Sequence, residues 1–395
     1  MDRTPQQRLD EAERVRRHLQ RTVAENSGVP AMTRDEYLKL YDENFGQLIE
    51  IAKRLGVAEG EAPAVARHAR DLLAALPAGS DFDDPCILFI LHELESDIKA
   101  AFRYLPLSMR NGVILGATHV TRPDAQLYAV YPNDTSIVEV AIPTFSFCNH
   151  IAQAMAHTIP QGVEAARLKF EKYRADGTAP AENWVRRRWA SIFLAYATVE
   201  APRFEPDQNR PPYWKTHPIL DAMELFMVGH EFGHHAAQGC ELTKEPMAEE
   251  HYADFIARNL SLAVAKLRNT PLDFFLISGA GAPLLLGSLD MLLRARQVLT
   301  DGTDALPPSE THPPVRERLQ ALDAAEPLFF IPGLEEIQGP DGAEAPRFIN
   351  FRRSLSFILD TIWLSLRPRF EQLHRDGIRP TPEPSDYITR LLRSG

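Results

Sequence analysis

The short sequence GHEFGHH, a little past the middle of the chain, constrains the fold most strongly, because it places His230 and His234 four residues apart. On an α-helix, side chains four positions apart lie on one face, so both imidazoles can reach a single metal ion. Apolar residues precede them at helical spacing, namely Ile219, Met223 and Phe226. This pattern turns the histidine face toward the interior. A buried face that carries histidine and glutamate is costly unless a ligand satisfies it, so the run predicts a buried metal-binding helix.

Two helices are predicted around this motif. Proline is typical of the first helical turn and glycine of the position just past the end, so Pro218 and Gly239 predict a helix over 219–238. A proline-rich loop over 201–218 leads into this helix, and the residues that follow predict a second helix over 247–267. The second helix carries several acidic side chains near its start, close in sequence to the two histidines.

The second helix offers the third ligand that a catalytic zinc site requires. Glu250 and Asp254 share one helical face. This predicts Glu250 as a metal ligand and Asp254 as the acceptor of a hydrogen bond from the second nitrogen of a ligand histidine. Glu249 is then expected to point away. His235 and His251, each about 100° round the helix from an assigned ligand, stay as alternative ligands.

Glu231 follows the first histidine, so its carboxylate can reach a metal-bound water rather than the metal itself. Zinc lowers the pKa of such a water to about 7, and a nearby carboxylate can take its proton and produce a hydroxide aimed at a carbonyl. This predicts hydrolytic chemistry with Glu231 as the general base. Because the pattern H-E-x-x-H is short enough to arise by chance, the prediction of a catalytic metal site depends largely on the sequence downstream of it.

Three motifs, in order, resemble those of the gluzincin metallopeptidases of the HtpX and CAAX-prenyl-protease type. They are HEFGH at 230–234, EHYAD at 250–254 and THPPVRERL at 311–319. The family has H-E-x-x-H, E-x-x-A-D and a late T-H-P-P segment with an arginine six residues after its histidine, which here is Arg318. The resemblance implies a zincin-like core with a two-helix zinc site, Zn²⁺ as cofactor, endopeptidase activity on a protein or peptide substrate, and His312 and Arg318 near the catalytic centre.

The late pair has a chemical role in such a reaction. Attack on a peptide carbonyl builds an oxyanion, which one donor side chain stabilises by roughly 3 kcal/mol. His312 is the candidate donor, and Arg318 is the residue that positions it or supplies charge. The alternative is that Pro313 and Pro314 only make a turn before a helix, with His312 as its surface cap.

The chain as a whole predicts an α+β fold dominated by helix. Residues 1–105 form a helical N-terminal layer in this interpretation, with a capping box that begins at Thr33 and one apolar helical stripe over 38–55. Short β-branched runs over 113–142 predict three strands of a small antiparallel meander.

Helical periodicity returns over 147–198, and a last apolar helix stripe covers 351–366. We therefore expect a zinc metallopeptidase core over 106–325 and a C-terminal helical segment over 326–395 that packs on the core.

Composition restricts the partners and the compartment. A net charge of −11 without a basic patch argues against a nucleic-acid partner. The N-terminal residues alternate acids and bases and lack the apolar stretch of a secretory signal, so a cytoplasmic location is expected. Cys86, Cys148 and Cys240 include no C-x-x-C pair, so we expect small buried residues rather than disulfides or a thiolate metal site.

One uncharged stretch tests this soluble interpretation. Residues 274–289 fall short of the roughly 20 apolar residues that span a bilayer, and Gly279, Gly281 and Pro283 interrupt them. The stretch predicts a buried core segment, with a membrane-associated hairpin as the alternative. The members of the related family that are embedded in membranes carry clear transmembrane helices, so this chain is expected to be a soluble variant.

The sequence therefore predicts a zinc-dependent endopeptidase that uses activated water. One alternative is a catalytically silent zinc protein, in which the same site only joins two helices and the N-terminal helical layer binds a partner. A second alternative keeps the chemistry but gives the enzyme a single protein target, or its own chain, as substrate.

Overall fold

The computed structural model of the protein describes residues 4–27, 32–54, 57–75, 80–105, 112–118, 120, 123, 125–130, 135–176, 183–199, 211–238, 245–268, 273–309, 311–325 and 346–381. Over these residues the N-terminal half forms helices α1 Pro5–Ser27, α2 Arg34–Glu43, α3 Phe45–Arg54, α4 Ala62–Ala75 and α5 Pro85–Ala101, a 3₁₀ turn Phe102–Tyr104, strands β1 Val113–Thr118, β2 Ala125–Val130 and β3 Thr135–Ala141, and helices α6 Ile142–Thr158, α7 Val163–Asp176 and α8 Asn183–Thr198. The C-terminal half forms α9 Tyr213–Ala237, α10 Pro246–Leu267, α11 Phe274–Ile277, α12 Gly281–Asp301, α13 Val315–Ala324 and α14 Pro346–Arg375. The predicted α+β fold dominated by helix is confirmed.

The capping box at the start of α2 is present, but the stripe that follows it belongs to two helices. The backbone N–H of Glu36 donates to the Thr33 hydroxyl, and the Glu36 carboxylate accepts from the backbone N–H of Thr33. The expected continuous helix over 38–55 is interrupted at Asn44, whose side-chain amide donates to the carbonyl of Leu40 at 2.8 Å. Asparagine favours such local bonds at helix ends, so α2 stops there.

The prediction of an antiparallel meander is wrong. The strand order is β1-β3-β2, in which β1 runs parallel to β3 with Val113 opposite Ser136, and only β2 and β3 are antiparallel, with Ala125 opposite Val140. All seven residues of β3 are buried, because α1 covers one of its faces and α9 the other. Burial on both faces is typical of a strand in the centre of a sheet, which is the position of β3 in the strand order.

The later helices follow the predicted pattern with different boundaries. The stretch 147–198 forms three helices, α6 to α8, and the first of them already begins at Ile142, directly after β3. Helix α9 begins at Tyr213 rather than Ile219, with Pro212 as its N-cap, so Pro218 lies inside the helix and not in its first turn. Helix α10 begins within one residue of its predicted start.

Helices α9 and α10 approach each other closely because small residues face each other between them. A Cβ atom on Gly233 would lie 2.6 Å from the Cα of Ala253, and one on Gly229 would lie 3.3 Å from the Cα of Ala257. Glycine removes this clash, so the backbones of the two helices come nearer than larger side chains would permit. The histidine motif on α9 therefore faces the acidic motif on α10 at short range.

The uncharged stretch 274–289 lies in the core, as predicted. It forms α11 and the first half of α12, and residues 276–286 are buried. Gly281 lets α12 approach α9, because a Cβ atom there would lie only 2.0 Å from the carbonyl oxygen of Ala222. Within the described ranges, no helix combines the length and the apolar character that crossing a bilayer requires.

Two further expectations have mixed outcomes. Cys148 is buried, but Cys86 is exposed in the first turn of α5, which contradicts the prediction for that residue, and Cys240 lies outside the described residues. Helix α14 is longer than the stripe over 351–366 that predicted it, and it packs against α12 and α7. The proposed division of the chain after residues 105 and 325 stays a prediction.

Candidate metal centre

Three donor side chains converge where α9 and α10 run side by side. The Nε2 atoms of His230 and His234 are 3.0 Å apart, and the carboxylate oxygens of Glu250 lie 3.5 Å from the first and 3.4 Å from the second. Donors about 2.0–2.1 Å from a tetrahedral ion lie roughly 3.3 Å from one another, so this spacing fits a single cation. Within the described ranges, this is the one group of three His, Cys, Asp or Glu side chains whose donor atoms all lie within 4.8 Å of one another.

The second ring nitrogen of each histidine faces a carboxylate of α10. Nδ1 of His230 is 3.0 Å from Asp254, the partner that the spacing predicts, and Nδ1 of His234 is 2.9 Å from Glu249. The expectation that Glu249 points away is wrong, because His234 meets both Glu249 and Glu250, one with each ring nitrogen. A carboxylate at Nδ1 fixes the tautomer, so that Nε2 is presented as the donor toward a metal.

Arg318, at the start of α13, is buried against the same acidic side chains. Its guanidinium donates to both oxygens of Asp254, at 2.7 and 2.6 Å, and one Nη atom lies 3.1 Å from Glu250. Burial by itself raises the pKa of these two carboxyls, but the hydrogen bonds and positive charge of Arg318 and the histidines outweigh it and lower each pKa to about 2. Among the described contacts of Arg318, none is with His312, so the two roles expected for Arg318, to position His312 or to supply charge, stay predictions.

His312 lies at the rim of the site. Its side chain is 61% exposed, and its Nε2 atom is 3.4 Å from Glu250, while Nδ1 is 2.7 Å from the hydroxyl of Thr311. The N-cap of α13 is Pro314, and no side chain caps this helix. The alternative that His312 serves as a surface cap is therefore wrong. The structure places its imidazole beside the candidate metal ligands instead.

Glu231 is buried and faces a cavity of about 490 Å³ that opens on the metal ligands. Apolar side chains of α9, α12 and β2 line part of this cavity. They include Phe226, Met227, Leu285, Leu286, Leu289, Ala125 and Leu127. A carboxylate and apolar side chains that line the same cavity as the candidate ligands suit the binding of a molecule with both a polar group and a hydrophobic one.

The two alternative histidine ligands are not part of the cluster. His235 is fully buried on the other side of α9, where its Nδ1 atom is 2.8 Å from the hydroxyl of Ser136 in β3. His251 does not belong to the group of converging donors. Both lie about 100° round a helix from an assigned ligand, and this rotation carries them away from the site.

His234 carries a high proton affinity in this arrangement. Burial lowers the pKa of His234, but hydrogen bonds to Glu249 and Glu250 and the charge of Glu231 outweigh burial and raise the pKa to about 10. An imidazole must be neutral to act as a ligand, so a metal ion and a proton would compete for His234.

Two features of the site had no clear signal in the sequence. The contact of Glu249 with His234 depends on how α10 is rotated about its axis, which helical spacing alone does not fix. The close approach of the helices depends on Gly229 and Gly233 facing alanines of α10. Each glycine directly precedes one of the two histidines, but this position alone does not indicate which helix it faces. Searches of protein-family models, of curated proteins and of solved structures found no match to this chain.

Proposed function

We propose that the protein is a zinc-dependent endopeptidase with a zincin-like core. The observation that carries this proposal is the convergence of His230, His234 and Glu250 on one point beside the buried carboxylate of Glu231. Two imidazoles and one carboxylate form a donor set that suits zinc, and three protein ligands leave a fourth position for water or substrate. When bound there, zinc lowers the pKa of a coordinated water to about 7 and polarises the substrate carbonyl.

Glu231 acts as the general base in this proposal. Its carboxylate lies one residue after the first ligand and faces the cavity, so it can take a proton from the attacking water. The same carboxyl group then returns the proton to the amine that leaves when the peptide bond breaks. A metal site that only joins two helices has no use for a base in this place.

His312 and Arg318 have different roles in the proposed reaction. The exposed imidazole of His312 stands at the rim of the cavity, where it can donate a hydrogen bond to the oxyanion that develops on the substrate. Arg318 is committed to Asp254 and Glu250, so its role is to keep the acidic residues of the site ionised and in place.

A peptide is the substrate that best suits the cavity. Strand β2 lies at one edge of the sheet and contributes Ala125 and Leu127 to the cavity wall, so an extended peptide can lie along it. Leucines of α12 face the same space and can accept an apolar side chain next to the bond that is cut.

The proposal is tested by elemental analysis and peptidase assays on purified variants. We expect about one zinc per chain in the wild type and in Glu231→Gln, loss of zinc in His230→Ala, and peptide hydrolysis by the wild type alone. His92→Ala is a matched control, because His92 is also followed by glutamate on a helix but lies on α5, so zinc and activity should be unchanged.

The same measurements separate the competing functions. A wild type that binds zinc but cleaves neither casein nor a peptide library would favour the catalytically silent zinc protein. Discrete cleavage of one cellular protein or of the chain itself, with casein left intact, would instead indicate an enzyme with a single target. A wild type that purifies without zinc and does not bind added zinc would overturn the proposal.

A further inference from the structure

Helix α13 brings Arg318 and the preceding His312 to the metal ligands, so its position determines part of the site. The helix has only ten residues, and the chain on its N-terminal side runs without helix or strand from 303 to 309 and from 311 to 314. Leu322 is its buried apolar residue. Val315 and Leu319 are partly buried against the same core, and polar contacts hold this short helix in addition to this apolar packing.

Arg258 of α10 holds the C-terminal end of α13. Its side chain is almost fully buried, and its guanidinium donates to the carbonyl oxygens of Leu322 and, at 2.9 Å, of Ala325. Carbonyls at the end of a helix lack partners within the helix, and a positive charge there is favoured by the helix dipole. The room for this side chain comes from Gly279, where φ is +65° and a Cβ atom would lie 2.8 Å from Cγ of Arg258.

Arg352 of α14 holds the same end of α13. It is also almost fully buried, donates to the carboxylate of Asp323 at 3.0 Å, and donates to the carbonyl of Ser278 at 2.7 Å. We call Arg258 and Arg352 the α13 clamp. The two clamp residues meet α13 beside the turn at 278–279, so one buried junction joins α10, α13, α14 and that turn.

One clamp residue, Arg258, and the acidic residues of the metal site lie on the same helix α10. Arg258 follows Asp254 by one helical turn on α10. Arg258 contacts the C-terminal end of α13, and Asp254 contacts Arg318 near the N-terminal end of α13. Two contacts at opposite ends of α13 fix both its position and its rotation.

We propose that Arg258 and Arg352 are positioning residues of the candidate metal centre, which act by holding α13 so that Arg318 stays on Asp254 and Glu250 and His312 stays at the rim. This inference rests on the proposed function. It makes the C-terminal helix α14 part of the assembly of the site rather than an addition packed against it.

A double-mutant cycle on zinc affinity tests the inference. The dissociation constant for zinc is measured by competition with a chromogenic chelator for the wild type, Arg258→Met, Arg318→Met and the double variant. Each single variant should bind zinc about tenfold more weakly, as is typical when a residue that orients a metal ligand is lost. The double variant should bind no more weakly than Arg318→Met, because Arg258 acts through Arg318.

Arg296→Met is the matched control. Arg296 of α12 also donates to two backbone carbonyls, those of Ala197 and Thr381, but it makes these contacts away from α13. Its replacement should leave zinc affinity unchanged. A folded Arg258→Met variant with wild-type affinity would overturn the inference, and so would losses that multiply in the double variant.

A second measurement tests the inference if Arg258→Met fails to fold. This measurement does not depend on zinc. Asp323→Asn keeps the size of its side chain but weakens the contact with Arg352, and hydrogen exchange of the amides in 315–325 reports on the order of α13. We expect faster exchange in this segment and unchanged exchange in α9. If Asp323→Asn exchanges the amides of 315–325 at the same rate as the wild type, the clamp is contradicted. If the wild type binds no zinc, the proposed function is contradicted, but the exchange measurement still tests the clamp.

Discussion

At the scale of single residues, the candidate metal centre is a set of paired side chains. Each histidine presents Nε2 to the cluster and meets a carboxylate with Nδ1. The histidines and Arg318 together lower the pKa of Glu250 and of Asp254. Isolated buried charges are costly, but Glu249, Glu250 and Asp254 each lie within hydrogen-bonding distance of a histidine or of Arg318. These pairs hold the three candidate donors at a spacing that fits one metal ion.

Removal of Glu249 should weaken metal binding without unfolding the protein. Because the carboxylate of Glu249 orients His234, we expect Glu249→Ala to bind zinc about tenfold more weakly than the wild type, as measured by chelator competition. Glu245→Ala is the control, because Glu245 is exposed at the N-cap of α10. Equal affinity of the two variants would show that His234 needs no such partner.

Glu224 should make the stability of the protein depend on pH. Burial and the nearby charge of Asp221 raise the pKa of Glu224 from 4.5 to about 8, so the folded state binds a proton that the unfolded state has already lost between these values. The contribution of the Glu224 carboxyl to the free energy of unfolding is fully present below pH 4.5 and is lost as the pH rises through 8. The free energy of unfolding should fall by about 1.4 kcal/mol per pH unit in this window from this group alone.

Glu224→Gln isolates this effect, since glutamine does not titrate. Urea unfolding at pH 5, 6.5 and 8 should show the variant gaining stability relative to the wild type as the pH rises. A difference between the two proteins that stays constant over this range would mean that Glu224 is ionised in the folded protein.

At the scale of elements, the site depends on the close packing of α9 and α10. Gly233→Ala should force the helices apart, because the added Cβ atom would lie 2.6 Å from the backbone of Ala253. We expect a loss of about 1–3 kcal/mol in the free energy of unfolding and weaker zinc binding, measured by urea denaturation and chelator competition.

Gly46→Ala is the matched control for this substitution. Gly46 lies in α3, and a Cβ atom added there would have nothing within 4 Å. Alanine in a helix is favoured over glycine by roughly 0.5–1 kcal/mol, so this variant should be slightly more stable and should bind zinc normally. If both variants behave alike, the contact between α9 and α10 is not tight.

At the scale of the whole molecule, the N-terminal helices are joined to the sheet through a buried polar cluster. Arg16 of α1 donates to both carboxylate oxygens of Asp83, and Gln20 donates to Asp83 and to the carbonyl of Ala117 in β1. Burial raises the pKa of Glu139 in β3, which lies beside this cluster, well above its ordinary value. These contacts place α1 on the face of the sheet opposite to α9.

Loss of Arg16 should therefore destabilise the protein, and the protein should still unfold in a single transition. Removal of one partner of a buried ion pair costs about 3–5 kcal/mol, so Arg16→Met should lower the midpoint of a single thermal transition followed by circular dichroism and tryptophan fluorescence. Arg17→Met is the control, because Arg17 is half exposed and pairs only with Glu13 of the same helix in the described contacts. Two separate transitions would support an independent N-terminal layer instead.

The sequence by itself determined most of the helices and which side chains on one helix share a face. Periodicity and capping signals predicted most of the helices, and the spacing of four residues on α9 and on α10 predicted the faces that carry His230, His234, Glu250 and Asp254. Local spacing is sufficient for these features because the backbone of a helix fixes the relative direction of side chains that belong to it.

Only the tertiary structure decided how these faces meet. The order of the strands, the turn of Glu249 toward His234, the burial of Arg318 on Asp254 and the α13 clamp all join residues from separate elements. Such contacts depend on the rotation and distance of one element relative to another, which are set by packing over the whole core. No local pattern in the sequence encodes them, because the partners are brought together only when the chain has folded.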